Sequence, residues 1–477
     1  MLNDIFNILL PQVIIGIFIV LLLVLEIICS PKMYKYARFI ALIGISSAIL
    51  FLSTVQTEPQ YFGMCNSLMS DSYTLLFDFV ILICGFLVTL LSRKLIKSIK
   101  GSAYSYFAIL LTAIFGAMSV VSSNDFLTLF VSTEVLGFST YFLIASAKGY
   151  KSKEASFKYL IMSAISTGVF LFGVSYLYGI TGSINFNEIY KFISENDVSV
   201  IYSISAILII FGIASKLAVL PFANWVIDVY KGCESSVLAF LSTIPKLAVF
   251  GILCRLLVFP LRNSFELTFV VAIAALITAL WANTFALREN NVKVILACST
   301  SANSSYVMLA ACLVSVYNVS AVIFYIICYV FMNIGAFAFL NIVDEKQYLK
   351  VEDFRGFFHS NQGLAGAYAV SILALAGIPI TSGFVAKIYL FSAIASSGLL
   401  FVPFLIILLI LTVLALFYYL KILLPLFDDI DKNAEIPKLS PVFSQKFVLI
   451  SAVIVILLVG VFSEKIIELC RFAAYNI

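Results

Sequence analysis

Apolar runs of about 20 residues recur along the whole chain, and each is long enough to cross a hydrocarbon core of about 30 Å as a helix. Fourteen are placed, near 11–29, 36–55, 72–92, 104–121, 125–146, 155–178, 201–230, 235–258, 265–287, 292–315, 318–343, 364–395, 400–427 and 445–469. With 62% hydrophobic and 11% charged residues, the chain is far from the roughly 25% charged of a soluble domain. The expected fold class is therefore an all-α integral membrane protein of about 14 transmembrane helices. The first run lacks a basic flank and a small-residue cleavage site, so it is read as a retained helix and not as a signal peptide.

Several chemistries find no support. Cys29, Cys65, Cys84, Cys233, Cys254, Cys298, Cys312, Cys328 and Cys470 are scattered with no C-x-x-C pair, so no iron–sulfur or zinc site is written here. His359 is the only histidine and falls between apolar runs, which leaves haem or metal binding without support. No glycine-rich phosphate loop opens a helix. A net charge of +4 is too small to argue for nucleic acid.

Basic residues fall on alternate connections. The odd-numbered ones hold Lys32, Lys35, Arg38, Arg93, Lys94, Lys97, Lys100, Lys148, Lys151, Lys153, Lys231, Arg288, Lys293, Lys346, Lys350, Arg355, Lys432, Lys438 and Lys446, and the even-numbered ones only Lys191 and Arg262. By the positive-inside rule the odd connections face the cytoplasm and both termini face outward.

Glu26, Asp78, Glu134, Lys158, Lys216, Lys246, Arg255, Lys387 and Lys421 remain inside the apolar runs. A charge at a bilayer centre costs about 2.5–3.5 kcal/mol on insertion scales, so something must offset each one. Glu26 and Lys421 lie in or near end turns, and Arg255 is expected to snorkel toward the outer interface. Lys158, near the start of its helix, has a snorkelling reading too. Asp78 is roughly 10 Å deep at 1.5 Å per residue, with structural and functional readings level. Glu134 and Lys246 are each roughly 13–17 Å deep, and Lys216 and Lys387 complete a set of four mid-membrane charges. An unpaired buried charge rather neutralises, whereas a neighbouring opposite charge holds it. Glu134 is thus expected to govern whether Lys216 keeps its proton. The alternative is a static ion pair that only fixes packing.

Two runs carry a break beside their lysine. In "IFGIASKLAVLPFANW", Pro221 follows Lys216, and in "ALAGIPITSGFVAKIYLF", Gly377, Pro379 and Gly383 precede Lys387. Irregular backbone at membrane depth is tolerated where protein or a water-filled cavity surrounds it. By the loop assignment these broken helices, the seventh and twelfth, run in opposite directions. Such an arrangement is what two inverted five-helix repeats produce, helices four to eight mirrored by nine to thirteen. The expected division is 1–103 (three N-terminal helices), 104–258 (first repeat), 259–427 (second repeat) and 428–477 (a loop and the last helix).

"SSNDFLTLFVSTEVLGFSTYFLIA", "ASFKYLIMSA", "SKLAVLPFANWVIDVYKG", "STIPKLAVFGILCRL" and "GIPITSGFVAKIYLF" together resemble the antiporter-like membrane subunits of respiratory complex I, the NADH-quinone oxidoreductase, and most of all their subunit N branch. The resemblance spans nearly the whole chain with the motifs in order. It implies a proton-translocating subunit of the inner membrane, driven by NADH-to-quinone electron transfer in other membrane and peripheral subunits. NADH, FMN, iron–sulfur clusters and quinone then belong to those partners, and this chain holds no cofactor or metal. On the family pattern Glu134, Lys158, Lys216, Lys246 and Lys387 match the residues of proton translocation. Two positions depart from it: Ala223 and Asn303 stand where relatives carry histidine, and "DVYKGCESS" replaces a more usual D-V-Y-x-G-x-P-x-P. A multisubunit Mrp-type cation/proton antiporter is the alternative, and "STIPKLAVF" is the segment that favours the complex I subunit. A non-pumping anchor subunit is a third reading, against which the four mid-membrane charges argue.

Overall fold

A computed structural model describes residues 9–28, 34–55, 61–64, 66–93, 102–147, 149–196, 199–261, 265–343, 349–429, 439 and 441–477. Lys32, Lys94, Lys97, Lys100, Lys148, Arg262, Lys346, Lys432, Lys438, Cys29 and Cys65 lie outside the described residues.

The apolar runs fold as helices, because in lipid a helix satisfies its own backbone groups. In chain order they are α1 (Leu10–Ile28), α2 (Tyr34–Leu52), α3 (Ser72–Leu91), α4 (Ala103–Ser122), α5 (Phe126–Ala145), α6 (Tyr150–Thr181), α7 (Phe186–Glu195), α8 (Val200–Ala214), α9 (Trp225–Gly232), α10 (Ser235–Leu241), α11 (Ile244–Val258), α12 (Phe265–Arg288), α13 (Val292–Cys312), α14 (Val316–Val343), α15 (Phe357–Ser360), α16 (Gln362–Ala376), α17 (Ser382–Ser396), α18 (Val402–Phe427), α19 (Phe443–Val461) and α20 (Ser463–Tyr475). A small antiparallel hairpin, β1 (Tyr61–Gly63) with β2 (Leu68–Ser70), precedes α3 and pairs Tyr61 with Ser70.

Twelve spans among the described residues are long and apolar enough to cross a membrane, and Tyr36–Leu52, Gln362–Ala376 and Ser382–Ser396 are shorter apolar helices. The difference from fourteen lies in these shorter pieces. The run 364–395 is split into two helices of 15 residues each, neither of which reaches the 20 or so that a span needs.

Many polar residues sit inside together with an apolar core, and large apolar side chains also face outward. α10 and α13 are buried along their entire length, and α11 and α14 nearly so. Around them α1, α6, α12, α18 and α19 present side chains such as Ile27, Phe157, Ile277, Phe417 and Ile454 outward. α13 packs against α12, and α14 against α17 and α19.

Candidate functional site: a buried line of lysines

α5 is started by Asp125, whose carboxylate accepts from the Thr128 N–H (2.7 Å). Nine residues on, Glu134 is half-buried and accepts from the Thr167 hydroxyl of α6 (2.8 Å). Lys216 faces the same two helices. Its ammonium donates to the Ser163 hydroxyl at 3.4 Å, and it lies 3.5 Å from where a side chain on Gly137 would begin. Ser163 and Thr167 are one turn apart on α6, as Glu134 and Gly137 are on α5, so the carboxylate sits a helical turn from the contacts of the lysine. Among the described residues Lys216 makes no ion pair. The static Glu134–Lys216 pair is therefore absent from this arrangement.

The break around Lys216 begins earlier than Pro221 suggests. α8 stops at Ala214, Ser215–Leu217 form a single 3-10 turn, and Ala218 takes a left-handed backbone (φ 58°) before the chain becomes helical again at Trp225. The freed backbone groups are satisfied by side chains: Trp225 Nε1–H donates to the Ser215 carbonyl (3.0 Å), and Thr278 Oγ1 accepts from the Leu220 N–H (3.0 Å). Ala223, one of the two departures from the family pattern, is fully buried in this turn.

Lys246 sits at a second interruption, which the sequence reading missed. The run 235–258 is not one helix: it breaks at Ser242–Thr243 between α10 and α11, with Pro245 and Lys246 in the first turn of α11. The signal was Pro245, which favours a first helical turn. The ammonium, 2% exposed, donates to the Thr300 carbonyl (3.1 Å) and the Ser304 hydroxyl (2.9 Å) of α13, and lies 5.5 Å from the Tyr329 ring centre. One residue before Ser304, Asn303 is fully engaged. Its amide nitrogen donates to the Ser299 carbonyl (2.9 Å) and reaches Tyr419 Oη (3.4 Å), while its oxygen accepts from the Tyr325 hydroxyl (2.7 Å). The position where histidine was the family expectation thus carries an amide locked into a tyrosine–serine network.

The second expected break is present at 377–381, between α16 and α17. Gly377 turns the chain with φ +83°, and a side chain there would press on Lys387 Cδ at 2.9 Å. Gly383 allows the closest approach in the region, because a Cβ would stand 1.8 Å from the Ala374 carbonyl oxygen. Pro379 lies within the turn between the two halves. Lys387 reaches back across the gap and donates to the Leu375 (2.8 Å) and Ala376 (3.0 Å) carbonyls, the last of α16. These carbonyls are the negative end of the half-helix, which favours a cation.

Lys158 stands apart from this line. It is ion-paired to Glu154 (2.9 Å) and Asp228 (3.1 Å), is half-exposed, and borders a cleft of about 310 Å³ with Lys151, Lys231 and Asn291. Lys421 donates to the Leu287 and Glu289 carbonyls at the end of α12, and Glu26 accepts from the Ser105 hydroxyl (2.7 Å). Arg255 does not snorkel. It is fully buried, and its Nη2 donates to both carboxylate oxygens of Asp71 (3.1 and 2.9 Å) and lies 3.1 Å from Thr74 Oγ1. Asp71, just ahead of the apolar run 72–92, is the N-cap of α3 and is itself 1% exposed. Among the described residues no cluster of His, Cys, Asp and Glu could hold a metal ion.

The family model described as the transmembrane domain of NADH:quinone oxidoreductase/Mrp antiporters matches residues 123–415, which contain all five candidate residues. The chain belongs to that family. Within it, the chain is 35% identical over 406 residues to NADH-quinone oxidoreductase subunit N of Anoxybacillus flavithermus, covering 81% of this chain and 80% of that one. It is 31% identical to NADH-quinone oxidoreductase subunit N 2 of Rhizobium meliloti, covering 87% of each. Two solved structures establish the shared family fold: respiratory complex I of Thermus thermophilus (TM-score 0.80, 24% identity, 96% of this chain and 98% of that one) and the Mrp complex of Dietzia (TM-score 0.84, 19% identity, 100% and 97%).

Proposed function

We propose that the chain is a proton-translocating membrane subunit of a bacterial NADH-quinone oxidoreductase, with Glu134, Lys216, Lys246 and Lys387 as the proton-carrying residues. The observation that carries this reading is the line itself. Among the described residues three lysines are each buried with no carboxylate at ion-pair distance, each stands at or beside an interrupted helix, and each is held by hydroxyl or carbonyl oxygens. A permanently charged lysine is better stabilised by a carboxylate, whereas one that gains and loses a proton needs partners that tolerate both states.

In this reading Glu134 moves between the Thr167 hydroxyl and the Lys216 ammonium, and the approach of the carboxylate decides whether Lys216 is charged. The proton passes through water to Lys246 and then to Lys387. Lys158, with Glu154 and Asp228, serves the line from its rim. The two segments 104–258 and 259–427 act as inverted repeats around Lys246, after an N-terminal unit 1–103 and before 428–477. The chain crosses the inner membrane with both termini on the outer side. NADH, FMN, iron–sulfur clusters and quinone are bound by partner subunits, and this chain contributes no redox step.

The test has two parts. Native membranes are gently solubilised, resolved on a native gel, stained for NADH oxidation, and the chain is located by mass spectrometry. Co-migration with a large NADH-oxidising assembly is expected, and migration with a smaller inactive one supports an Mrp-type cation/proton antiporter instead. In the assembled complex, Lys216→Ala is expected to abolish or sharply reduce proton movement, and an unchanged proton-to-electron ratio refutes the assignment.

A further inference from the structure

Four lysines from separate parts of the chain line one open cleft of about 940 Å³. Lys151 comes from the first turn of α6, Lys231 from the last turn of α9, Lys293 from the first turn of α13, and Lys350 from the start of the 3-10 turn Val351–Phe354. Lys151, Lys231 and Lys350 are exposed. Lys293 is 4% exposed, and its ammonium donates to the carbonyl of Cys233, another residue of the wall (3.0 Å). Two carboxylates, Glu234 and Asp353, line the same space, which leaves an excess of two positive charges. Asp353 is turned toward the backbone, where it accepts from the Leu349 (3.0 Å) and Lys350 (2.8 Å) N–H groups. Like charges gathered in one cleft repel one another, and a bound anion offsets that cost.

Two further features say which anion fits. The cleft takes in the opening of α6, which Gly149 begins without a side-chain cap, so first-turn N–H groups offer partial positive charge to a phosphate. Tyr150, in the wall of the cleft, is 80% exposed. Phe157 and Ile161 follow it on the same face of α6, at helical spacings of seven and four, and are 64% and 42% exposed. A basic cleft and an outward apolar stripe thus join at one end of a span, on the side that the positive-inside rule makes cytoplasmic. A free phosphate would use the cleft alone, whereas a phospholipid uses both.

We propose that this cleft holds the phosphate headgroup of an anionic phospholipid, with an acyl chain lying along Tyr150, Phe157 and Ile161. Basic pockets between helices on the cytoplasmic side of a membrane bind such headgroups. Lys151 and Lys231 also border the smaller cleft of Lys158, Glu154 and Asp228, so the lipid phosphate stands next to the ion pairs of Lys158. The site requires that the chain lie in a membrane and does not depend on its moving protons.

The test places the intact complex in phosphatidylcholine nanodiscs with a small share of phosphatidylglycerol that carries a photoactivatable group in its acyl chain. Cross-linked peptides are then located by mass spectrometry. Adducts are expected on the α6 peptide that carries Phe157 and Ile161, in excess over those from a matched phosphatidylcholine probe. The yield is expected to fall roughly fivefold for each lysine removed in Lys231→Gln and Lys231→Gln/Lys350→Gln. Lys231→Arg/Lys350→Arg keeps the charge and is expected to keep the adduct, which separates loss of charge from a disturbed assembly. Equal labelling by the two probes, or an unchanged yield in the double glutamine variant, overturns the proposal. Suppression by inorganic phosphate as strong as by unlabelled phosphatidylglycerol overturns it in favour of a free anion. A carbodiimide cross-link from Lys231 or Lys350 to a carboxylate of a neighbouring subunit overturns it in favour of an acidic protein segment. Labelled α6 together with normal pumping in Lys216→Ala refutes the lysine line and leaves the lipid site standing, and unlabelled α6 with pumping lost in Lys216→Ala does the reverse.

Discussion

Replacing Asp71 by alanine strands the Arg255 guanidinium inside the bundle. Arg255 is 0% exposed, and Asp71 supplies its carboxylate contacts at 2.9 and 3.1 Å. Breaking one partner of such a buried pair costs about 3–5 kcal/mol, because the other charge remains without compensation. The same carboxylate caps α3 through the Thr74 N–H at 2.7 Å, and removing a cap costs about 1 kcal/mol more. The loss should therefore reach about 4–6 kcal/mol, with the two parts not strictly additive because they share one side chain. The informative comparison is Asp71→Ser/Arg255→Met, which keeps a capping hydroxyl and replaces the charge by a side chain of similar length. Exchanging a buried pair for apolar groups is often neutral or stabilising, so the double variant should recover most of the loss. The assay is the thermal midpoint of the detergent-solubilised complex, read together with the amount assembled on a native gel. A double variant no more stable than Asp71→Ala, or an Asp71→Ala that melts like wild type, refutes the reasoning.

Gly383→Ala places a methyl 1.8 Å from the Ala374 carbonyl oxygen, and since that atom is backbone the turn has to open. We expect loss of assembly on a native gel, whereas Gly363→Ala, with open space around its Cβ, should assemble normally. Asn303→Leu takes the acceptor of the Tyr325 hydroxyl away, at about 1–3 kcal/mol, while Tyr419 keeps its bond to the Ser299 hydroxyl, and a lowered thermal midpoint checks it. Lys158→Ala removes half-exposed ion pairs and should leave the melting midpoint close to wild type, so any fall in proton flux in that variant separates function from stability.

The apolar runs made most spans legible, and the proline and glycine residues marked the breaks beside Lys216 and Lys387. Glu134, Lys216, Lys246 and Lys387 stood out because a charge inside an apolar run needs a reason. What could not be read is tertiary pairing. Asp71 lies one residue ahead of its helix and outside the apolar run, so Arg255 had no visible partner and was expected to reach for the interface. The break at Ser242–Thr243 lies between apolar stretches, with Pro245 in the following helical turn as its signal. The partners of Lys387 are backbone carbonyls, which no side-chain pattern announces. The satisfied amide of Asn303 likewise depends on tyrosines from α14 and α18, more than twenty residues away in one case and more than a hundred in the other.

α13 raises a question of biogenesis. Ser299, Thr300, Ser301, Asn303, Ser304 and Ser305 run down its middle, and every residue of the helix is enclosed by protein in the finished molecule. As it leaves the ribosome, however, α13 is offered to the insertion machinery before α14, α17 and α18 exist to enclose it. A segment so rich in hydroxyls partitions into lipid less readily than its neighbours when it stands alone, with a mean hydropathy of 1.3 against 2.1 for α12. α12, synthesised just before it and packed along it, is apolar enough to enter first. The two should therefore enter as a hairpin, with α12 as escort, and a ribosome that stalls between α13 and α14 leaves the most polar helix of the bundle facing lipid.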